Sequence, residues 1–321
     1  MIDCTDMATP THKMNYTDGC NRFYIKRDDL FPLSFGGNKA RKAVLFFRDV
    51  MEKGSDCVVT YGSRSSNHCR VTANMAACLN LKCHIITPED SDYQTANSRL
   101  TELLGAEITT CPLSQTGRVI NEKMEELTGK GYKPYFIQGG GHGNIGTRAY
   151  VKAYQEIAAY ESEQGLCFDY IFLASGTGTT QAGLICGKTV NGAAGTIVGI
   201  SIARRNPYGC EVVMRSVSEY LLSTGIDFLN KNISLNEVVF IDEYILSGYG
   251  SHNDCILETI KTVLVSDGIP LDAIYTGKAF YGMKKHIETQ KIKGKNILFL
   301  HTGGTPLFFD TLELLGNGGC K

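Results

Sequence analysis

The residues best suited to chemistry gather in two glycine-rich segments. Ser175-Gly-Thr-Gly-Thr-Thr180 follows the apolar run Tyr170-Ile-Phe-Leu-Ala174 and precedes a helical pattern. A strand–loop–helix junction of this kind aims backbone N–H groups, small hydroxyls and a positive helix end at one point, which seats an anion, phosphate above all. Three or four charge-assisted hydrogen bonds, at about 1.5–3 kcal/mol each, make a firm anchor. The second segment, Phe35-Gly-Gly-Asn-Lys-Ala-Arg-Lys42, sets an amine, Lys39, behind glycines that allow close backbone approach, with Asn38 placed to cap a helix. On a surface Lys39 is an ordinary solvated charge. Desolvated beside Arg41 and Lys42, it loses its proton readily and can form a Schiff base.

Ser65-Ser66-Asn67-His68 follows the strand pattern Cys57–Gly62. These residues suit a helix N-cap, and equally offer a side-chain amide for a phenolate oxygen and a hydroxyl for a reacting carbon. Tyr249 and Tyr275 both sit beside glycine-rich turns, where a ring either packs or stacks on an aromatic ligand. Two apparent nucleotide motifs fail on context. Ala182-Gly-Leu-Ile-Cys-Gly-Lys-Thr189 satisfies a relaxed P-loop pattern but falls inside the helix that Ser175–Thr180 opens, and the third dinucleotide glycine is replaced by Gln181. A phosphate seat plus a sheltered amine is instead the combination that pyridoxal phosphate requires.

The elements that must position these residues read as regular α/β alternation. Strands are expected at Cys57–Gly62, Cys83–Thr87, Glu107–Cys111, Tyr135–Gly139, Tyr170–Ser175, Ile197–Ile202, Val238–Asp242, Ile274–Gly277 and Ile297–His301. Helices are expected near 38–53, 66–80, 94–105, 117–129, 144–163, 177–190, 211–225, 252–266, 278–290 and 306–315. This order argues for parallel sheets covered by helices, and nine strands divide more naturally over two lobes than one. Five of the strands end in glycine-rich turns, where open α/β sheets bind ligands.

Composition narrows the setting. Of 321 residues, 43% are hydrophobic and 20% charged, with a net charge of −1 that gives no support to nucleic-acid binding. No apolar stretch is long enough to span a bilayer, so no membrane association is expected. Met1–Met7 lacks the basic and apolar regions of a signal peptide, which points to a cytoplasmic protein. The twelve cysteines are scattered without a C-x-x-C pair, as reduced thiols are, and the seven histidines do not pair at metal-ligand spacings; no metal is expected.

Taken in order, Gly-Gly-Asn-Lys39-Ala-Arg-Lys, Ser66-Asn67-His68, Ser175-Gly-Thr-Gly, Gly-Tyr249-Gly, Tyr275-Thr-Gly-Lys-Ala and His-Thr302-Gly-Gly resemble the D-cysteine desulfhydrase / 1-aminocyclopropane-1-carboxylate deaminase family of fold-type II pyridoxal phosphate enzymes. The likeness runs from about Phe23 to Phe308. It implies two lobes, each a mainly parallel sheet covered by helices, with the cofactor in the cleft between them. The large cofactor-binding domain is expected at 1–46 and 162–321 and the small domain at 47–161. Lys39 would carry the cofactor, Asn67 would meet its phenolate oxygen, and Ser175, Gly176, Thr177, Gly178, Thr179 and Thr180 would hold its phosphate. Tyr275 would stack near the pyridine ring and Thr302 would approach its nitrogen. Tyr249 and Ser66 would face the substrate, and a homodimer is implied.

Two positions discriminate within the family. The cyclopropane-opening deaminases have Glu after the Tyr275-type tyrosine and Leu in the His-x-Gly-Gly motif; here stand Thr276 and Thr302, as in the desulfhydrases. The expected reaction is therefore α,β-elimination on a small β-substituted amino acid, D-cysteine foremost, to pyruvate, sulfide and ammonium. The rivals are a β-replacement synthase, a deaminase or racemase of the same fold, and a non-catalytic ligand-binding protein. Departures from the family pattern set Ser65, His142, Ser251 and His252 as candidate pocket residues, beside His68 of the matching Ser66-Asn67-His68 motif, with Arg64 either pairing with a substrate carboxylate or facing solvent.

Overall fold

The computed structural model describes residues 7–89, 94–225 and 238–317. The reading of Met1–Asp6 as lacking a leader lies outside them. Along the chain run β1 (Thr11–Lys13), β2 (Arg22–Arg27), α1 (Asn38–Glu52), β3 (Cys57–Tyr61), α2 (Asn67–Cys78), β4 (Lys82–Pro88), α3 (Ala96–Leu103), β5 (Glu107–Cys111), α4 (Thr116–Gly129), β6 (Pro134–Ile137) and α5 (Asn144–Gln164). There follow β7 (Tyr170–Ser175), α6 (Thr179–Asn191), β8 (Thr196–Ser201), α7 (Tyr208–Ser223), β9 (Val239–Ile241), α8 (Asp254–Asp267), α9 (Thr276–Thr289), β10 (Asn296–His301) and α10 (Thr305–Asn317).

The chain divides into two units. The smaller holds Pro32–Ser34 and Lys39–Gly146; the larger holds Ala8–Phe31, Phe35–Asn38 and the chain from Thr147. The division falls at Lys39 and Gly146, where the sequence reading set 47 and 161. Packing explains both shifts. Lys42 and Phe46 of α1 lie against Gly141 of the smaller unit, whereas Tyr150 and Tyr154 of α5 pack on Gly183 and Gly187 of α6 in the larger.

The smaller unit has a four-stranded parallel sheet in the order β5-β4-β3-β6, with Val59 of β3 opposite His84 on one side and Phe136 on the other. The larger unit has six strands in the order β1-β2-β10-β7-β8-β9, parallel except for β1. Phe299 of β10 stands between Ile25 and Phe172. These central strands are buried along nearly their whole length, as strands covered on both faces must be.

In each sheet the order reverses once. From β3 the chain steps outward through β4 to β5 and then returns to the other side of β3 as β6; from β7 it steps through β8 to β9 and returns beside β7 as β10. The crevices at such reversals, beyond the carboxyl ends of the strands, are where open α/β sheets take ligands. In the smaller unit these ends carry Ser65–Asn67 and Gly140–His142; in the larger they carry Ser175–Thr180 and Thr302.

One expected strand is corrected. Ile274–Gly277 is no strand, because Asp272 Oδ1 accepts the N–H groups of Ile274 and Tyr275 at 2.9 and 2.7 Å, and Oδ2 that of Thr276 at 3.1 Å. A side chain that gathers three successive amides coils the backbone into the start of α9. Conversely, β2 escaped the pattern because Lys26 reads as a surface charge. Here it is fully buried, its Nζ 2.6 Å from Glu156 Oε2.

Candidate active site

In the larger unit, the anion seat is built from backbone. Gly178 caps α6 with φ +86°, a left-handed conformation in which a side chain is strained. The first turn of α6 contains no acidic residue to offset its positive end. Ser175 serves the base of the loop: its Oγ donates to Gln181 Oε1 at 2.9 Å, and Gln181 Nε2 donates to Val239 O at 2.8 Å. Gly176–Thr180 is then the arc left for a ligand. Asn38 joins this arc to the end of β10, with Nδ2 donating to Thr180 Oγ1 at 3.0 Å and its N–H to Thr302 O at 2.9 Å. Gly37 makes that approach possible, since a Cβ there would lie 2.7 Å from Thr302 O. Thr302 is buried, and its hydroxyl has no hydrogen-bond partner among the described residues.

Tyr275 and Tyr249 meet in the same unit, hydroxyl to hydroxyl, with ring centroids 5.9 Å apart at 73°. Each is held from behind. Asp272 bonds the amide of Tyr275 and the hydroxyl of Thr276, at 2.7 Å in both cases. Burial pushes the Asp272 carboxyl up, while these bonds pull the other way. Lys278 is fully buried and donates to Ile245 O and Gly248 O, both at 3.2 Å, beneath the turn that carries Tyr249. Burial lowers its amine to about 8. Ser251 bonds the same two carbonyls at 3.0 and 2.6 Å, so this departure from the family pattern closes the turn. His252 Nδ1 lies 3.5 Å from Gly250 O.

In the smaller unit, Lys39 Nζ donates to Gly140 O at 2.9 Å. Lys42, one helical turn on, is buried, and burial first and Lys39 second push its amine well below the usual lysine range. Ser66 is the N-cap of α2, its Oγ accepting from the N–H groups of His68 at 3.2 Å and Cys69 at 3.4 Å. The capping role therefore holds. His68 is buried, with Nε2 2.7 Å from Thr60 Oγ1 on β3. Thr60 in turn donates to Ile137 O at 2.7 Å, so the imidazole ring is tied to the sheet interior. Ser65 and His142 are half-buried at the ends of β3 and β6.

Asn67 is only 8% exposed. Its Oδ1 accepts from Asn97 Nδ2 at 2.8 Å, and its Nδ2 has no partner among the described residues. Sequence reasoning gave no role to Asn97, Arg70 or Asp272, nor to Lys278 within its Tyr275-Thr-Gly-Lys-Ala motif. The one available signal was Arg70, which stands three residues after Asn67 and so on the same helix face.

These groups fit pyridoxal phosphate. The phosphate needs amides, hydroxyls and a positive helix end, as at Gly176–Thr180. A phenolate needs a donor, as at Asn67 Nδ2, and an aldehyde needs an amine, as at Lys39. Among the described residues no cluster of His, Cys, Asp or Glu is fit to hold a metal, and no helix is long and apolar enough to cross a membrane.

A parallel α/β fold whose sheet reversals carry an anion seat, an amide donor and a helix-borne lysine defines the class: an enzyme built round a phosphate-bearing carbonyl cofactor. The family model described as pyridoxal-phosphate dependent enzyme matches residues 6–303. The chain is 33% identical over 318 residues to the D-cysteine desulfhydrase of Yersinia enterocolitica serotype O:8 / biotype 1B, covering 96% of this chain and 94% of that one. It is 35% identical over 299 residues to a putative 1-aminocyclopropane-1-carboxylate deaminase of Pyrococcus abyssi, covering 91% and 88%. A crystal structure of an ACC deaminase homologue superposes with a TM-score of 0.88 at 31% identity, covering 98% of this chain and 95% of that one. The chain belongs to the family of pyridoxal-phosphate-dependent enzymes.

Proposed function

We propose that this enzyme catalyses α,β-elimination on a small β-substituted amino acid, with D-cysteine giving pyruvate, sulfide and ammonium. The observation that carries the reading is the near-full-length similarity to D-cysteine desulfhydrases, joined to threonines at both discriminating positions. At position 276 the hydroxyl is committed to Asp272, so this position contributes a structural tie and no carboxylate.

Bound pyridoxal phosphate supplies an aldehyde that condenses with amines and a ring that withdraws electrons from the substrate Cα. The arc Gly176–Thr180 would hold the phosphate, Asn67 Nδ2 would donate to the phenolic oxygen, and Thr302 Oγ1 would serve the ring nitrogen. Lys39 Nζ would hold the cofactor through its aldehyde carbon and, as a free amine, would take the proton from the substrate Cα. A base so placed contributes about 10²–10⁴-fold. Ser66 Oγ and the Tyr249–Tyr275 hydroxyl pair orient the substrate, and Tyr275 flanks the ring. Ser65, His68 and His142 shape the substrate side, His68 by fixing α2 against β3. The net charge of −1 and the free thiols of the described residues support a cytoplasmic setting, and we place the enzyme there as a homodimer.

The test is pyruvate and sulfide release from D-cysteine and then L-cysteine, with 2-oxobutyrate and ammonium followed from 1-aminocyclopropane-1-carboxylate. Release from D-cysteine that falls at least about a hundredfold in Lys39→Ala supports the assignment; full turnover by that variant ends it. The Pyrococcus relative favours a second reading, ring opening. That reading predicts ammonium from the cyclopropane substrate without sulfide chemistry.

A further inference from the structure

Asn67 shows its amide in one sense only, and the cause lies in residues with no role so far. Arg70 is fully buried on α2, and its guanidinium can only donate. Its Nε donates to Asn97 Oδ1 at 2.8 Å, which decides which end of the Asn97 amide is oxygen. Asn97 Nδ2 therefore points the other way, donating to Asn67 Oδ1 at 2.8 Å and to Ser65 O at 2.9 Å. Arg70 is itself fixed from behind by Ser34, whose Oγ accepts from Nη1 at 2.7 Å and whose carbonyl accepts from the same atom. The line Ser34–Arg70–Asn97–Asn67 is thus an ordered series of donors and acceptors in which no member can reverse alone. It lies wholly in the smaller unit, where α3, which carries Asn97, packs on α2.

We propose that Asn97, set by Arg70, is a positioning residue that fixes the Asn67 amide with its N–H₂ outward, so that this point of the site can donate and cannot accept. An unrestrained amide turns over easily, because its two ends are nearly the same size. Held in this sense, it favours an anionic oxygen over a hydroxyl and so selects the deprotonated form of the cofactor's phenol. The inference rests on the reading that Asn67 meets that oxygen.

The test compares Asn97→Asp with Asn97→Ala in the full-length protein, titrated with pyridoxal phosphate. Asn97→Asp preserves shape and gives Arg70 a carboxylate, but turns an acceptor toward Asn67 Oδ1, so the Asn67 amide must rotate. Asn97→Ala leaves that amide free to find its own sense. The expected order is the reverse of simple packing. Asn97→Asp weakens cofactor binding about tenfold to a hundredfold and raises, by about one unit, the pH at which the bound cofactor's visible bands interconvert. Asn97→Ala weakens binding by only about threefold to fivefold. Thermal melts of the cofactor-free variants show that each is folded.

A larger loss in Asn97→Ala than in Asn97→Asp would overturn the proposal, as would an Asn97→Asp protein with unchanged binding and spectrum. In an Asn67→Ala background the Asn97→Asp loss should shrink to about threefold or less. Its persistence in full shows that the effect does not run through Asn67, and the proposal falls. A costly Asn67→Ala with a silent Asn97→Asp overturns the positioning role alone. A silent Asn67→Ala overturns the reading of Asn67 and this proposal with it.

Discussion

A histidine buried beside two lysines is held in its neutral form. Burial first, then the charges of Lys39 and Lys42, hold the His68 imidazole well below its ordinary 6.5. Its stabilising contribution is therefore complete above pH 6.5 and is lost as pH falls, because only the unfolded chain takes up that proton. We expect up to about 1.4 kcal/mol of lost stability for each unit below pH 6.5. Urea denaturation at about pH 7.5 and pH 5 should show His68→Gln, which keeps a polar group facing Thr60, with a shallower decline than the parent. The same residues mark what the chain displays openly. Lys39, Asn67 and Ser175–Thr180 stand out as candidates because each follows or sits in a glycine turn, where polar residues gather for ligands. Asn97, Arg70, Asp272 and Lys278 are not, because their types belong by default to surfaces. Only the tertiary fold buries them and gives each its partners.

Helix α6 turns an apparent motif into a packing device. Gly183 and Gly187 stand one turn apart, and a Cβ on either would lie 2.4 Å from the Cβ of Tyr150 or Tyr154 on α5. These glycines remove bulk so that two helices can close; they do not wrap a nucleotide. Gly183→Ala should cost about 1–3 kcal/mol by overpacking. In contrast, Gly129→Ala at the end of α4 meets nothing within 4 Å and should be neutral or stabilising by up to about 1 kcal/mol. Paired guanidinium denaturation curves measure both. Elements were read correctly where one period ran uninterrupted, as in β7 and β10. They were misread where a side chain overrode the local pattern, as Asp272 does at the start of α9 and Lys26 does within β2.

At the scale of the molecule, the cofactor is a ligand of the folded state only. Saturation at about a hundredfold over its dissociation constant adds about 2.7 kcal/mol, or roughly 4 °C in the melting midpoint of a chain this size. Removing pyridoxal phosphate by dialysis against hydroxylamine should lower the midpoint by that amount, and adding it back should restore it. A midpoint indifferent to the cofactor would contradict the fit of the anion seat and Asn67 to it. The strand order of the larger sheet has a consequence for the protein's birth as well. β2 emerges from the ribosome long before its parallel neighbour β10 (Asn296–His301). The smaller unit's sheet is complete by Ile137 and can form during synthesis. Until β10 is made, β2 and β7 each present an unpaired edge, the kind of edge that recruits other chains. A ribosome that stalls before residue 296 would release a product with one finished half, an open sheet and no Thr302, so premature chains are marked for chaperones by their own exposed strands.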